Sequence, residues 1–174
     1  MYKKNPFLNP IIIIALTIVL IVTFYVCKIL IQPAGAIYLT RQQSSSFEIV
    51  SVVAEDMSVP FFGTAFHINY NTSELKYDHF SLGDYFTPQD DPLVLVSESL
   101  TNEKIMAGIS LKRGNVIKKP NGTLIKLYFK PIKNIQFPQT EISPSEFSFS
   151  NTVFSTFDMQ TKQRKNIANI TFYP

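Results

Sequence analysis

Two patterns of apolar residues divide this chain. Residues 11–26 hold only Ala, Ile, Leu, Val, Phe and Tyr apart from Thr17 and Thr23, and after Cys27 and Lys28 the apolar run resumes to Ile31. At about 1.5 Å per residue, residues 11–31 make a helix of roughly 31 Å, the thickness of a bilayer's hydrocarbon core. Pro10 suits the first turn of such a helix and Pro33 its stop. The pattern therefore predicts one transmembrane helix over residues 10–32, contacting the lipid bilayer through residues 11–31. Lys28 lies within a turn of its end, where a long cationic stem reaches the headgroups.

From Ile37 onward the solid run gives way to alternation, the mark of half-buried strands. Phe66, Ile68 and Tyr70 alternate with His67, Asn69 and Asn71. Similar runs stand at 36–39, 47–54, 75–82, 93–100, 104–111, 123–130, 146–150 and 166–173, giving about nine strands. Between them lie "NTSE", "LGD", "PQDDP", "TNE", "KKPNGT" and "TKQRKN", rich in turn chemistry. Asn121-Gly122 is the strongest hairpin-type signal, since both residues tolerate positive φ. "QQSSS" at 42–46 reads as a loop between the first two strands. Many short strands with no helix-period segment beyond the first predict an all-β sandwich.

Charge sets the orientation and removes one class of partner. Lys3 and Lys4 precede the apolar run and Lys28 is the only nearby cation after it until Arg41, so residues 1–9 read as a short cytoplasmic tail and residues 33–174 as an extracytoplasmic domain. The rival is a signal peptide cleaved after Ala36, at the small-residue sequence Ala34-Gly35-Ala36. The run exceeds the usual apolar length of about 7–15 residues and Lys28 interrupts its end, which favours a retained signal anchor. Of 16 Lys and Arg, Lys3, Lys4 and Lys28 lie in the tail and helix, leaving 13 against 13 acidic residues. The outer domain is formally neutral, so no nucleic-acid footprint is present.

With one cysteine the outer domain stands without an internal disulfide, which points to a bacterial or archaeal cell membrane rather than a eukaryotic secretory route. His67 and His79, the only histidines, lack the cysteine or acidic neighbours of a zinc set. Asp84, Asp90 and Asp91 offer oxygens to calcium without the spacing of a known calcium loop. The groups Lys112, Arg113, Lys118, Lys119 and Lys162, Arg164, Lys165 fall in predicted loops and read as solvated tips, with anionic headgroups as the alternative. No Gly-x-Ser-x-Gly elbow, phosphate-cradling loop or His-Glu-x-x-His helix occurs, so neither an enzyme, a cofactor nor a metal is expected.

The stretch "FHINYNTSELKYDHFSLGDYF" (66–86), with "LVLVSES", "IMAGISLKRG" and "GTLIKLYFKPI" after it, resembles cohesin domains in the order of its elements. Tyr70 and Leu75 stand at the family's strand-end tyrosine and following leucine, Gly83 marks its loop, and Gly122, Leu124 and Phe129 match its late strand. Asn71-Thr72 departs from the Asp-Pro often found there. The resemblance spans residues 36–173 and implies a nine-stranded jelly-roll β-sandwich, related to carbohydrate-binding modules, that holds a dockerin-like protein on a sheet face. The core residues are then Phe66, Ile68, Tyr70, Leu75 and Tyr77. The candidate binding face carries His67, Asn69, Ser97 and Ser99. A polysaccharide partner, or a passive role in an envelope assembly, remains the alternative; glycan binding is weakened by the absence of Trp.

Overall fold

The computed structural model describes residues 8–30, 33–44, 46–99, 101, 103–112, 115–132, 142, 146–157 and 163–174. These form two compact units, residues Met1–Gln32 and Pro33–Pro174. The first is the helix α1 (Leu8–Leu30), apolar but for Asn9, Thr17, Thr23 and Lys28 and with no acidic residue in its first turn. Its two hydroxyl side chains are satisfied within the helix: Thr17 donates to the Ile13 carbonyl at 2.9 Å and Thr23 to the Val19 carbonyl at 2.8 Å. Side chains of this helix are described over residues 12–27, and among the described residues no helix is long and apolar enough to cross a membrane. Lys3, Lys4, the Lys28 side chain, Arg113 and Lys162 lie outside the described residues.

The second unit is a sandwich of two five-stranded sheets. In chain order its strands are β1 (Gly35–Gln43), β2 (Glu48–Glu55), β3 (Gly63–Tyr70), β4 (Leu75–Leu82), β5 (Leu93–Ser99), β6 (Lys104–Ser110), β7 (Gly122–Pro131), β8 (Phe147–Phe157), β9 (Arg164–Asn166) and β10 (Ile170–Tyr173). One sheet runs β10-β1-β2-β7-β4 and the other β5-β6-β3-β8-β9. All pairings are antiparallel except β1 with β10. Alternation decides which side chains meet between the layers. Ile37, Val50, Val52, Leu127 and Phe129 from the first sheet meet Phe66, Ile68, Ile105 and Phe147 from the second, all fully buried. Phe129 is the hub, with ring centres 5.1 Å from Tyr70 and 5.3 Å from Phe147.

Four expectations need correction. The expected last strand is two: β9 joins β8 in one sheet, the backbone turns at Asn169 with φ 62°, and β10 joins β1 in the other. Alternation continues through such a crossover, so periodicity cannot detect it. Gln42 and Gln43 belong to β1, facing Ile49 and Glu48, because an exposed strand end needs backbone pairing and not apolar side chains. Asn121-Gly122 closes no hairpin. β6 and β7 lie in different sheets, and the Asn121 side chain instead accepts the Asp56 backbone N–H at 2.8 Å as the chain crosses. Likewise, Arg164 and Lys165 stand in β9 rather than in a loop.

Two inward positions, Arg41 and Glu48, carry charge. Arg41 continues the Ile37, Leu39 parity of β1 and is bonded to the buried Glu48 carboxylate, with Glu146 Oε2 at 3.3 Å from its Nη1. Burial pushes the Glu48 carboxyl up; Arg41 pulls it down and Glu146 raises it again. Removing a partner from such a buried group leaves an uncompensated charge.

Candidate functional site

The outward side chains of the β5-β6-β3-β8-β9 sheet form cross-strand rows, since residues facing one another across an ordered register share a face. His67 lies opposite Met106, which lies opposite Ser97; Asn69 lies opposite Lys104, which lies opposite Ser99. The structure thus places His67, Asn69, Ser97 and Ser99 on one face, in two adjacent rows. Asn69 is tied to β8, donating to Ser148 Oγ and accepting from Ser150 Oγ, both at 3.2 Å. His67 Nδ1 lies 3.5 Å from the Asn151 amide, and Asn151 sits at φ 49° where β8 bulges against β3. Ser97 is exposed and Ser99 half-buried.

The next rows hold the feature that motif reading missed. Gly63, Ala65, Gly108 and Ser110 face outward on β3 and β6 and form the floor of a trough of about 260 Å³. Leu93 and Leu95 of β5 stand along one side, 76% and 73% exposed. Ser155 and Arg164 stand on the other, with Arg164 Nε donating to Ser155 Oγ at 2.8 Å. A Cβ at Gly108 would meet nothing within 4 Å, so this glycine leaves room and is not demanded by packing. The signal was present as "LVLV" at 93–96, apolar on both faces, against small residues alternating at 63 and 65 and at 108 and 110. Two exposed leucines over a small-residue floor form an apolar patch, with the cationic Arg164 on the wall opposite them. Patches of this kind mark contact sites.

Other candidates are engaged elsewhere. The Asp84 carboxylate accepts the Thr123 N–H at 2.7 Å, Asp90 accepts the Thr87 N–H at 2.6 Å, and Asp91 is paired with Lys112. Hydrogen bonding from the Thr87 hydroxyl at 2.7 Å, and then from its N–H, holds the Asp90 carboxyl below its ordinary range. No group of three His, Cys, Asp or Glu gathers to hold a metal among the described residues. His79 lies in the other sheet from His67, stacked on Tyr128 at 4.2 Å with Phe47 edge-on at 5.5 Å.

Comparison with solved structures places this architecture. The chain is similar to a type II cohesin, A11, from Bacteroides cellulosolvens: TM-score 0.58, 15% identity, 79% of this chain and 95% of that one covered. It is similar to the chain of a type II cohesin-X-dockerin complex from Acetivibrio cellulolyticus, with TM-score 0.56, 11% identity and coverage of 80% and 96%. A non-cellulosomal cohesin from the archaeon Archaeoglobus fulgidus gives TM-score 0.54, 11% identity and coverage of 80% and 86%. The fold is cohesin-like. No protein-family model matches the chain, and no curated protein matches its sequence. The cohesin-like sandwich has ten strands where about nine were expected.

Proposed function

We propose that this is a non-catalytic protein-binding module that holds its partner on the outer face of the β5-β6-β3-β8-β9 sheet, tethered to a membrane by residues 11–31. The carrying observation is the trough: an open floor left by Gly108 and Ala65, walled by two exposed leucines on one side and by Arg164 on the other, with no acidic residue in its rows among the described residues. An apolar anchor set in a polar rim is the anatomy of a protein interface. The complementary partner is a folded protein with an apolar ridge flanked by carboxylates. A dockerin-like module is the first choice, because one similar structure is of a cohesin-X-dockerin complex. The tether is supported by the length of the apolar run and by the internally bonded Thr17 and Thr23, which expose no free hydroxyl donor. A polysaccharide is the second reading, favoured by the Phe47, His79 and Tyr128 rings gathered on the opposite sheet.

The test uses the full chain in detergent, immobilised and exposed to envelope proteins and to wall polysaccharide. Gly108→Val fills the trough at a position with room for it. A protein retained by the wild type, at least tenfold weaker on Gly108→Val and on His67→Ala with Asn69→Ala, at unchanged melting temperature, supports the face. Equal retention by the wild type and both variants, or retention of polysaccharide only, overturns it.

A further inference from the structure

Four strands end the two sheets: β10, β4, β5 and β9. An edge strand offers a row of unpaired N–H and C=O groups to any extended chain, and folded proteins blunt such edges by shortness, charge or bulges. Three of the four are blunted. β9 spans Arg164–Asn166 and carries Arg164 and Lys165, and β10 spans only Ile170–Tyr173. β4 carries Lys76, Asp78 and His79 and is broken by a bulge between Tyr77 and His79.

β5 has none of these devices. Its register with β6 runs unbroken from Leu93 to Ser99, and no strand among the described residues pairs with its outer edge. Its single charge, Glu98, is turned inward and accepts the Tyr70 hydroxyl. What remains is Leu93-Val94-Leu95-Val96-Ser97, two of whose leucines are about three-quarters exposed. The groups left open are backbone groups, so the occupant is an extended strand; and a strand so nearly free of charge is complementary to itself.

We infer that β5 pairs antiparallel with β5 of a second copy of this chain, centred on Leu95. Side-chain parity requires paired residue numbers to have an even sum, so that outer faces outer. Centring on Leu95 sets Leu95 against Leu95, Val94 against Val96 and Leu93 against Ser97. The four outer leucines then form one stripe. Glu98 falls opposite Pro92, which has no N–H and ends the ladder, and the two Glu98 carboxylates stay apart. The symmetry is a two-fold axis normal to the sheet, an isologous contact that closes on two copies. It joins two five-stranded sheets into one and puts both troughs on the same side. If the trough binds as proposed above, a repeated ligand is then held bivalently; the seam itself does not depend on that reading.

The experiment is cysteine trapping in the full chain, in detergent, with Cys27→Ser so that the engineered thiol is alone. Residues paired directly across antiparallel strands have Cα atoms about 4.5–5.5 Å apart, inside disulfide range. Leu95→Cys should form a disulfide dimer under mild oxidant at least tenfold faster than Leu82→Cys on β4. Ser97→Cys alone should not, while Leu93→Cys mixed with Ser97→Cys should give the mixed dimer. Wild-type chain should sediment as a concentration-dependent dimer, lost on Leu95→Lys, whose exposed position keeps the melting temperature unchanged. A chain that stays monomeric, Leu95→Cys trapping no faster than Leu82→Cys, self-trapping by Ser97→Cys, or a dimer that survives Leu95→Lys would each overturn the inference. A β5 reserved for a peptide of another protein gives the monomeric result.

Discussion

β4 and β5 are both edge strands, of different sheets, and both begin with leucine, yet they spend their residues oppositely. Leu75 opens β4 as a core residue, 2% exposed, and the strand then turns Lys76, Asp78 and His79 outward. Asp78 bonds Lys130 of the neighbouring strand and His79, and the bulge beside it bends the edge away from any flat partner. Leu93 opens β5 at 76% exposure, and the strand stays regular and uncharged on its outer face. The difference separates two jobs that one residue type performs. On β4 a leucine stabilises the fold; on β5 leucines stay in water and are available to a partner.

The sharpest break of this comparison is Leu75→Ala against Leu95→Ala. The first leaves a cavity in the core and should cost about 2–5 kcal/mol, a fall in melting temperature on the order of 10 °C. The second should stay within about 0.5 kcal/mol by thermal melting. Next in size is Gly83→Ala at the end of β4, where a Cβ would collide with the Thr123 carbonyl oxygen. Gly83 N–H also donates to the Leu124 carbonyl at 3.1 Å, so the strand end cannot shift freely. The expected loss is about 1–3 kcal/mol in denaturant unfolding.

A third variant converts one edge towards the other: Lys76→Val with Asp78→Val removes the charges that guard β4. Stability should move by less than about 1 kcal/mol, while light scattering should report association absent from the wild-type β4 edge. The smallest effect is electrostatic. Hydrogen bonding to Lys130, then to His79, holds the Asp78 carboxyl below its ordinary range. Its folded value is depressed, so its contribution is present above the ordinary carboxylate range and lost as pH falls through the folded value. Melting curves taken from about pH 5 downward should fall slightly less steeply for Asp78→Asn than for wild type. The pair is exposed, and such bridges contribute little.

Much of this architecture was legible because burial on one side of a strand imposes a period of two. Phe66, Ile68 and Tyr70 announced their inward face, and the opposite parity placed His67 and Asn69 outward. The same rule could have placed Arg41 inside, since it shares parity with Ile37 and Leu39, but the expected first strand ended at 39. Asn121-Gly122 misled because turn chemistry specifies a local bend and not which strands the bend joins. The trough was not legible as a site. Its floor comes from two strands and its walls from three others, and nothing local marks Gly63 and Gly108 as outward neighbours.

The amino-acid sequence by itself determined the apolar run of residues 11–31, the strand-rich character of residues 33–174 and the inward set of each regular strand, because these follow from periodicity along a single segment. Only the tertiary structure decided which strands share a sheet, where the chain crosses between layers at Asn169, and that β5 stands at an open edge with its leucines beside Gly108. Those are pairings between residues distant in the chain, chosen by the backbone hydrogen bonding and core packing of the whole sandwich rather than by any residue's own preference.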